Sequence, residues 1–266
     1  MNILIIIAFL FVGLFAGVMA GMLGIGGGLI FVPFQVFLFY LTDVPDELQM
    51  KLAVGTSLAA TVFTTLITVF AQARKHSIWW KLVYKVIIGI VIGAISGAFL
   101  ARIMPSKLLE VIFGVFSIIL GIYFLFLNAH HEHTPEKTPD FAILNSLALA
   151  IGLISSMLGI GGGALVVPTL VYFRVPLRKA IGSATTIACM LSITGAITFL
   201  FPSITGDTIY EYSLGYLYLP SFIPMTIGAV LSAPFGVKLA HCIPRDVLKK
   251  IFATLLCVIG LLMIFR

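Results

Sequence analysis

Two glycine-rich segments are the residues of this chain best suited to chemistry. The sequence MLGIGGG occurs at 22–28 and again at 157–163. Consecutive glycines weaken a helix by about 1 kcal/mol each, but they permit positive φ angles and close backbone approach. Backbone N–H groups freed at such a break, beside the positive end of the next helix, can bind an anion. Each motif therefore predicts a broken or re-entrant helix whose amides face a negatively charged ligand.

Hydroxyl residues open the apolar segment that follows each motif. AVGTS at 53–57 resembles AIGSA at 180–184. A hydroxyl can donate to an oxyanion without a buried countercharge. It can equally well join two helices or bond to the preceding helical turn, so both interpretations stay open. The candidate substrate-binding residues are Gly24, Gly26, Gly27, Gly28, Thr56, Ser57, Gly159, Gly161, Gly162, Gly163, Ser183 and Thr185.

Acidic residues and histidines are placed unfavourably for cation chemistry. All ten Asp and Glu residues lie in loops or at the ends of apolar segments, and no histidine lies in the middle of one. A proton relay within the membrane or a membrane-embedded hydrolase normally needs such groups at depth. Amides and hydroxyls without acidic neighbours favour an anion. We therefore expect a protein that is not an enzyme and uses no metal or cofactor.

The composition indicates that a lipid bilayer surrounds the chain. Of 266 residues, 61% are hydrophobic and 10% are charged, whereas soluble domains have about 25% charged residues. The mean hydropathy is +1.17. A bilayer core of about 30 Å requires about 20 apolar residues per helix. Eight stretches qualify, and the first and fifth carry shorter apolar tails at 29–41 and 164–173: 3–22, 52–73, 82–101, 108–127, 141–158, 180–201, 217–237 and 247–265.

The sequence indicates two copies of one structural unit. Besides the glycine motifs, PSKLLEVIF at 105–113 resembles PRDVLKKIF at 244–252. An internal repeat is the main organising signal of a sequence. We predict an N-terminal transmembrane repeat at 1–127, a polar linker at 128–140 and a C-terminal transmembrane repeat at 141–266. Each repeat has about four helical segments in an all-α polytopic membrane protein.

Loop charge indicates that the repeats are inverted. Lysine and arginine near the ends of spans favour the cytoplasm. If all eight stretches cross once, the 16 basic residues divide ten against six. If the segments 3–41 and 141–173 instead enter and leave on one face, they divide twelve against four. The second arrangement gives each repeat an odd number of crossings, which inverts one repeat relative to the other.

The chain resembles the sulfite exporter TauE/SafE family of membrane anion carriers. The resemblance covers nearly the whole chain and rests on GIGGGLIFVP at 24–33, AVGTSL at 53–58, GIGGGALVVP at 159–168 and AIGSAT at 180–185. It implies an inner-membrane carrier with duplicated halves and substrates such as sulfite or sulfonates. It carries the binding role onto the two glycine motifs and the hydroxyl segments after them. Ser183-Ala184 stands where the first half has Thr56-Ser57, which argues against a symmetric site.

These observations predict a secondary transporter in the cell membrane that moves a small sulfur-containing anion by alternating access. An anion channel on the same scaffold and a membrane assembly factor without transport activity are the alternatives. The net charge of +6 lies in short loops, and it does not indicate nucleic-acid binding. Whether a coupling ion such as H⁺ or Na⁺ is used, and whether the chain forms homo-oligomers, stays open.

Overall fold

The fold was analysed in a computed structural model that describes residues 3–23, 26–42, 44–126, 141–201, 210–242 and 245–266. The linker predicted at 128–140 lies outside these residues. The described part consists of ten helices and one two-stranded sheet: α1 Ile3–Leu23, α2 Gly28–Phe39, α3 Asp46–Arg74, α4 Trp80–Ile103, α5 Ser106–Phe126, α6 Phe141–Leu158, α7 Gly163–Tyr172, α8 Leu177–Leu200, β1 Ser213–Leu214, β2 Leu217–Tyr218, α9 Leu219–Cys242 and α10 Arg245–Phe265.

The predicted all-α polytopic class is confirmed. Seven helices in the described part are long and apolar enough to cross a membrane. The tails predicted at 29–41 and 164–173 are separate short helices, α2 and α7. Two spans begin earlier than their apolar runs: α3 starts at Asp46 after Pro45, and α8 starts at Leu177 after Pro176. Hydrophobicity alone misses these starts because the first turns of both helices are polar.

The first glycine motif reverses the chain direction. Phe9 of α1 lies against Phe39 at the end of α2, with ring centroids 6.1 Å apart. Phe15, further along α1, contacts Phe34, nearer the start of α2, at 6.2 Å. Because later residues of α1 contact earlier residues of α2, the two helices are antiparallel and α2 runs back alongside α1. The segment is therefore a helical hairpin whose tip is the glycine motif.

The long helices pack in four close pairs, two of them parallel and two antiparallel. Glycines bring α1 against α9 and α4 against α6, each pair running parallel: Gly13 faces Met225 and Gly17 faces Ala229, while Gly89 faces Asn145 and Gly97 faces Leu153. The central pair α3 and α8 runs antiparallel, and so does the pair α5 and α10, where Gly114 meets Gly260 and Gly121 meets Cys257. Small residues allow such close backbone contact in membranes.

The connections gather at two ends of the bundle. We call the end with Tyr218, Gln49 and Arg266 the first face. There the Tyr218 ring contacts Phe39 at 5.5 Å, and the Arg266 Nη2 atom donates to the Gln49 side chain at 2.6 Å. We call the end with the α3–α4 and α7–α8 connections the second face. There the Trp79 N–H donates to Ser183 at 2.9 Å.

Basic residues concentrate at the second face. In the described part of the chain, eleven of the fifteen lysines and arginines lie at or near that end, and Lys51, Arg102, Lys107 and Arg266 lie toward the first face. The distribution is the one that the folded-back arrangement of 3–41 and 141–173 requires. A strong bias of this kind is a determinant of membrane orientation.

Arg102 is a buried cation near the first face. Its Nη2 atom donates to the main-chain oxygens of Thr198 and Phe201 at the end of α8. Its guanidinium also lies 5.7 Å from the Phe199 ring centroid and 5.6 Å from that of Tyr216. The last carbonyls of a helix lack intrahelical partners. Arg102, near the end of α4, therefore caps α8.

Replacing Arg102 with methionine is expected to lower stability by about 1–3 kcal/mol, because two partly buried carbonyls lose their donor. Thermal unfolding of the purified protein, followed by tryptophan fluorescence, measures the change. The control is Lys107→Met, since Lys107 is 61% exposed in its ion pair with Glu110 and exposed pairs contribute little. Equal melting temperatures for the two variants would contradict the capping role.

Candidate functional site

Both glycine motifs adopt backbone conformations that other residues rarely tolerate. Positive φ angles between 72° and 83° occur at Gly26, Gly27, Gly159, Gly161 and Gly162. A left-handed conformation costs a non-glycine residue about 1–2 kcal/mol. The breaks predicted from the sequence therefore exist as two left-handed turns, which we call the first turn (26–27) and the second turn (159–162). Gly24 lies outside the described residues.

The two turns touch each other. A methyl group placed on Gly28 would collide with the carbonyl oxygen of Gly159 and lie 2.7 Å from the carbonyl carbon of Ile160. Thr61, near the middle of α3, lies between them: its methyl carbon would be 2.9 Å from a methyl group on Gly26 and 2.7 Å from one on Gly161. Glycine is therefore required at these positions for close approach as well as for φ.

The turns approach from opposite ends of the bundle. The hairpin of α1 and α2 has its open end at the first face, where Phe39 contacts Tyr218. Helix α6 starts toward the second face, where Asn145 donates to the Lys85 carbonyl at 2.7 Å. From these opposite ends, α1 and α6 each lead to a turn that lies against the middle of α3. The two turns therefore meet well inside the bundle.

Each turn leads into the N-terminus of a short helix. Helix α2 begins at Gly28 and α7 begins at Gly163. The first N–H groups of a helix have no intrahelical acceptor. Among the described residues, the backbone bonds at the second turn come from Gly159, Ile160 and the second and third residues after Gly163, and none comes from Gly161 or Gly163. In the described part of the chain, amide donors thus remain available beside the second turn.

Carbonyl groups of the turns are already engaged. The Ser57 hydroxyl donates to the Gly159 oxygen at 2.9 Å. The Thr64 hydroxyl donates to the Gly26 oxygen at 3.3 Å. Hydroxyl groups of α3 therefore occupy the carbonyl oxygens of Gly26 and Gly159.

Four fully buried hydroxyls near the second turn have no hydrogen-bond partner among the described residues: Thr61, Ser155, Ser156 and Ser192. The Ser192 oxygen would lie 3.3 Å from a methyl group on Gly161, and the Ser155 oxygen 3.7 Å from one on Gly162. An unsatisfied buried polar group costs about 1–3 kcal/mol. The oxygens of Ser192 and Ser155 thus lie at the second turn, which indicates a site suited to a polar ligand.

The first turn differs from the second in this respect. Thr65 presents its methyl carbon toward Gly26, and its hydroxyl donates to the Thr61 carbonyl at 2.7 Å. Thr64 also bonds to backbone. Beside the first turn, the hydroxyls of Thr64 and Thr65 are therefore satisfied locally, whereas those of Ser155 and Ser192 beside the second turn have no partner among the described residues.

The other predicted hydroxyls lie away from the turns. Thr56 accepts a hydrogen bond from the Tyr218 N–H at 3.0 Å, near the first face. Ser183 accepts one from the Trp79 N–H, near the second face. Thr185 donates to the Ile181 carbonyl of its own helix at 2.8 Å. Of the predicted hydroxyl residues, the structure brings Ser57 to a glycine turn.

Sequence reasoning missed the four unpartnered hydroxyls. Thr61 follows Ser57 by four residues, which places both on one face of α3. Ser155 and Ser156 directly precede the second MLGIGGG motif, where the first half has Ala20 and Gly21. Helical spacing and this difference between the halves are the signals that could have identified them.

Charged side chains are remote from the turns. In the described part of the chain, every Asp, Glu, Lys and Arg lies in a connection or within about two helical turns of a helix end. The turns lie against Thr61, near the middle of α3. The site therefore consists of neutral donors and helix N-termini.

Comparisons with known proteins place the chain in a family. The family of the sulfite exporter TauE/SafE matches residues 9–263. The chain is 32% identical to a probable membrane transporter protein of Haemophilus influenzae over 262 residues, 97% of each chain. It is 29% identical to one of Methanocaldococcus jannaschii, covering 95% of this chain and 93% of that one.

Another relative is the probable membrane transporter protein YunE of Bacillus subtilis, which is 25% identical and covers 94% of this chain and 92% of its own. No solved structure matches the chain. The resemblance seen in the glycine motifs is confirmed by these matches, and the spanning helices agree with them. The chain therefore belongs to the sulfite exporter TauE/SafE family and is a multi-pass transporter of the cell membrane.

Proposed function

We propose that the protein is a secondary transporter that moves a small sulfur-containing oxyanion or sulfonate by alternating access. The anion binds between the two glycine turns. The observation that carries this proposal is the group of fully buried hydroxyls in and near the second turn that have no partner in the described part of the chain. A tetrahedral or pyramidal oxyanion has several oxygen acceptors that such donors can satisfy.

The chemistry of the site supports an anion over a cation. The N-termini of α2 and α7 both adjoin the turns, and a helix N-terminus carries partial positive charge. The carbonyls of Gly26 and Gly159, which could hold a cation, already accept hydrogen bonds from Thr64 and Ser57. Paired helix breaks in matching halves are typical of transporter binding sites.

Burial supports alternating access. Thr61, Ser155, Ser156 and Ser192 are each 0% exposed, so an anion reaches them only after helices move apart. The antiparallel pairing of α3 with α8 and of α5 with α10 supports two inverted repeats, 1–127 and 141–266. Rocking of one repeat against the other would open the site to each face in turn.

The bias of basic residues supports a cytoplasmic second face. Single cysteines replacing His76 and Tyr212 test this orientation, because both side chains are exposed and lie at opposite faces. In a background lacking Cys189, Cys242 and Cys257, a membrane-impermeant maleimide is expected to label position 212 in intact cells and position 76 only after lysis. Labelling of both positions in intact cells would disprove the topology.

Transport itself is tested in proteoliposomes with the purified protein. We expect saturable flux of sulfite and methanesulfonate, with chloride and acetate as controls. Flux that rises linearly with concentration would favour a channel. If none of these sulfur anions crossed faster than in protein-free vesicles, the proposed function would be wrong.

A further inference from the structure

The positive potential at the candidate site comes from two helix N-termini. Helix α2 has 12 residues and α7 has 10, and both begin at the touching turns. Each N-terminus is equivalent to roughly +0.5 elementary charge. Together they supply about one unit of positive charge. That amount compensates one negative charge on a ligand.

The other groups at the site are neutral. Ser155, Ser156, Ser192 and Thr61 contribute hydroxyl dipoles, and each has a fully buried oxygen without a partner in the described part of the chain. The described lysines and arginines lie toward the ends of the bundle. A second negative charge would therefore have no formal countercharge beside it.

The desolvation cost of binding a dianion exceeds the attraction that the site can offer. The Born cost of removing an ion from water grows with the square of its charge, so it is about four times greater for a dianion of equal size. The attraction to fixed dipoles and hydroxyls grows only in proportion to the charge. When a ligand carries a second charge, the desolvation cost therefore rises more steeply than the attraction to the site.

We infer that the site between the turns is selective for monovalent oxyanions and excludes divalent ones of the same shape. This inference rests on the proposed function and specifies the charge of its substrate. Sulfonates and hydrogen sulfite meet the requirement, whereas sulfate and the sulfite dianion do not. A carrier of hydrogen sulfite moves a proton within its substrate, so this transport requires no acidic side chain in the spans.

Methanesulfonate and sulfate provide a matched test, because both are tetrahedral and they differ in charge. We would measure thermal stabilisation of the purified full-length protein by each anion at equal ionic strength, and sulfite at an acidic and an alkaline pH. Sulfate also stabilises proteins by exclusion from their surfaces. The variant Ser192→Ala with Thr61→Val gives that non-specific contribution, which is subtracted.

We expect methanesulfonate to bind at least roughly tenfold more tightly than sulfate. Binding of sulfite should weaken as pH rises and the dianion forms, while that of methanesulfonate should not change. Equal or tighter binding of sulfate, or sulfite binding that strengthens at alkaline pH, would overturn the charge selectivity and leave the anion site standing. If no anion stabilised the wild type more than the variant, the proposed function itself would fail.

Discussion

Gly161→Val is expected to abolish anion flux in proteoliposomes. The φ angle of Gly161 is +74°, which a β-branched residue adopts only with strain. Its Cβ atom would also lie 2.7 Å from the methyl carbon of Thr61 and 3.3 Å from the Ser192 oxygen. The added side chain would thus collide with Thr61 and displace the Ser192 hydroxyl that faces the second turn.

A paired design separates blockage of the site from general strain. Gly161→Ala alone should reduce flux strongly, and adding Thr61→Ser should restore part of it, because serine lacks the colliding methyl group and keeps the hydroxyl. The φ strain of about 1–2 kcal/mol remains in both variants. Gly215→Val is the strain control, since Gly215 also has positive φ, +59°, but lies between β1 and β2. Loss of flux in Gly215→Val as complete as in Gly161→Val, at equal protein stability, would argue against a specific site at the second turn.

The second large effect is expected from removal of hydroxyls. Thr61→Val and Ser192→Ala each delete one hydroxyl that has no partner in the described part of the chain, with little change in shape. A hydrogen bond to a charged group contributes about 1.5–3 kcal/mol, so each variant should weaken anion binding about 10- to 100-fold. Thermal stabilisation by methanesulfonate, titrated against anion concentration, measures the change in Kd.

Ser117→Ala is the matched control for these variants. Ser117 also has a fully buried hydroxyl without a partner in the described part of the chain, but it belongs to α5, which packs on α10. Its replacement should leave anion affinity unchanged. If Thr61→Val and Ser192→Ala behaved like Ser117→Ala, the hydroxyls at the turns would be structural only.

The sequence was informative about the turns because their chemistry is local. Three consecutive glycines have one main physical reason to occupy an apolar segment, which is backbone geometry that other residues resist. The repeat of the motif at 157–163 then located both turns and the short helices that follow them. Composition and the lengths of the apolar stretches predicted the membrane class because neither depends on tertiary contacts.

The hydroxyl side chains could not be assigned in the same way because their roles depend on tertiary contacts. Thr56 and Ser57 are adjacent in sequence, yet Thr56 holds the Tyr218 N–H near the first face and Ser57 contacts Gly159 of the second turn. Ser183 accepts a hydrogen bond from the Trp79 N–H just before α4. Only the packing of α3 against α8 decides which hydroxyl faces a glycine turn.

Asymmetry between the two glycine turns also arises from packing. Thr65 and Ser192 occupy comparable positions, facing Gly26 and Gly161. Thr65 satisfies its hydroxyl on its own helix at the Thr61 carbonyl, whereas Ser192 has no partner in the described part of the chain. This difference in hydrogen bonding is separate from the Ser183-Ala184 departure noted in the sequence, and the effect of either on binding stays a prediction.

Anomalous diffraction from crystals grown with selenite, at a pH where the hydrogen selenite monoanion predominates, is the most direct test of the central claim. The account predicts a selenium peak between the two turns, with ligand oxygens about 3 Å from the hydroxyls of Ser192 and Thr61. A well-ordered structure with no peak there, or with selenite bound only at the bundle ends, would contradict it.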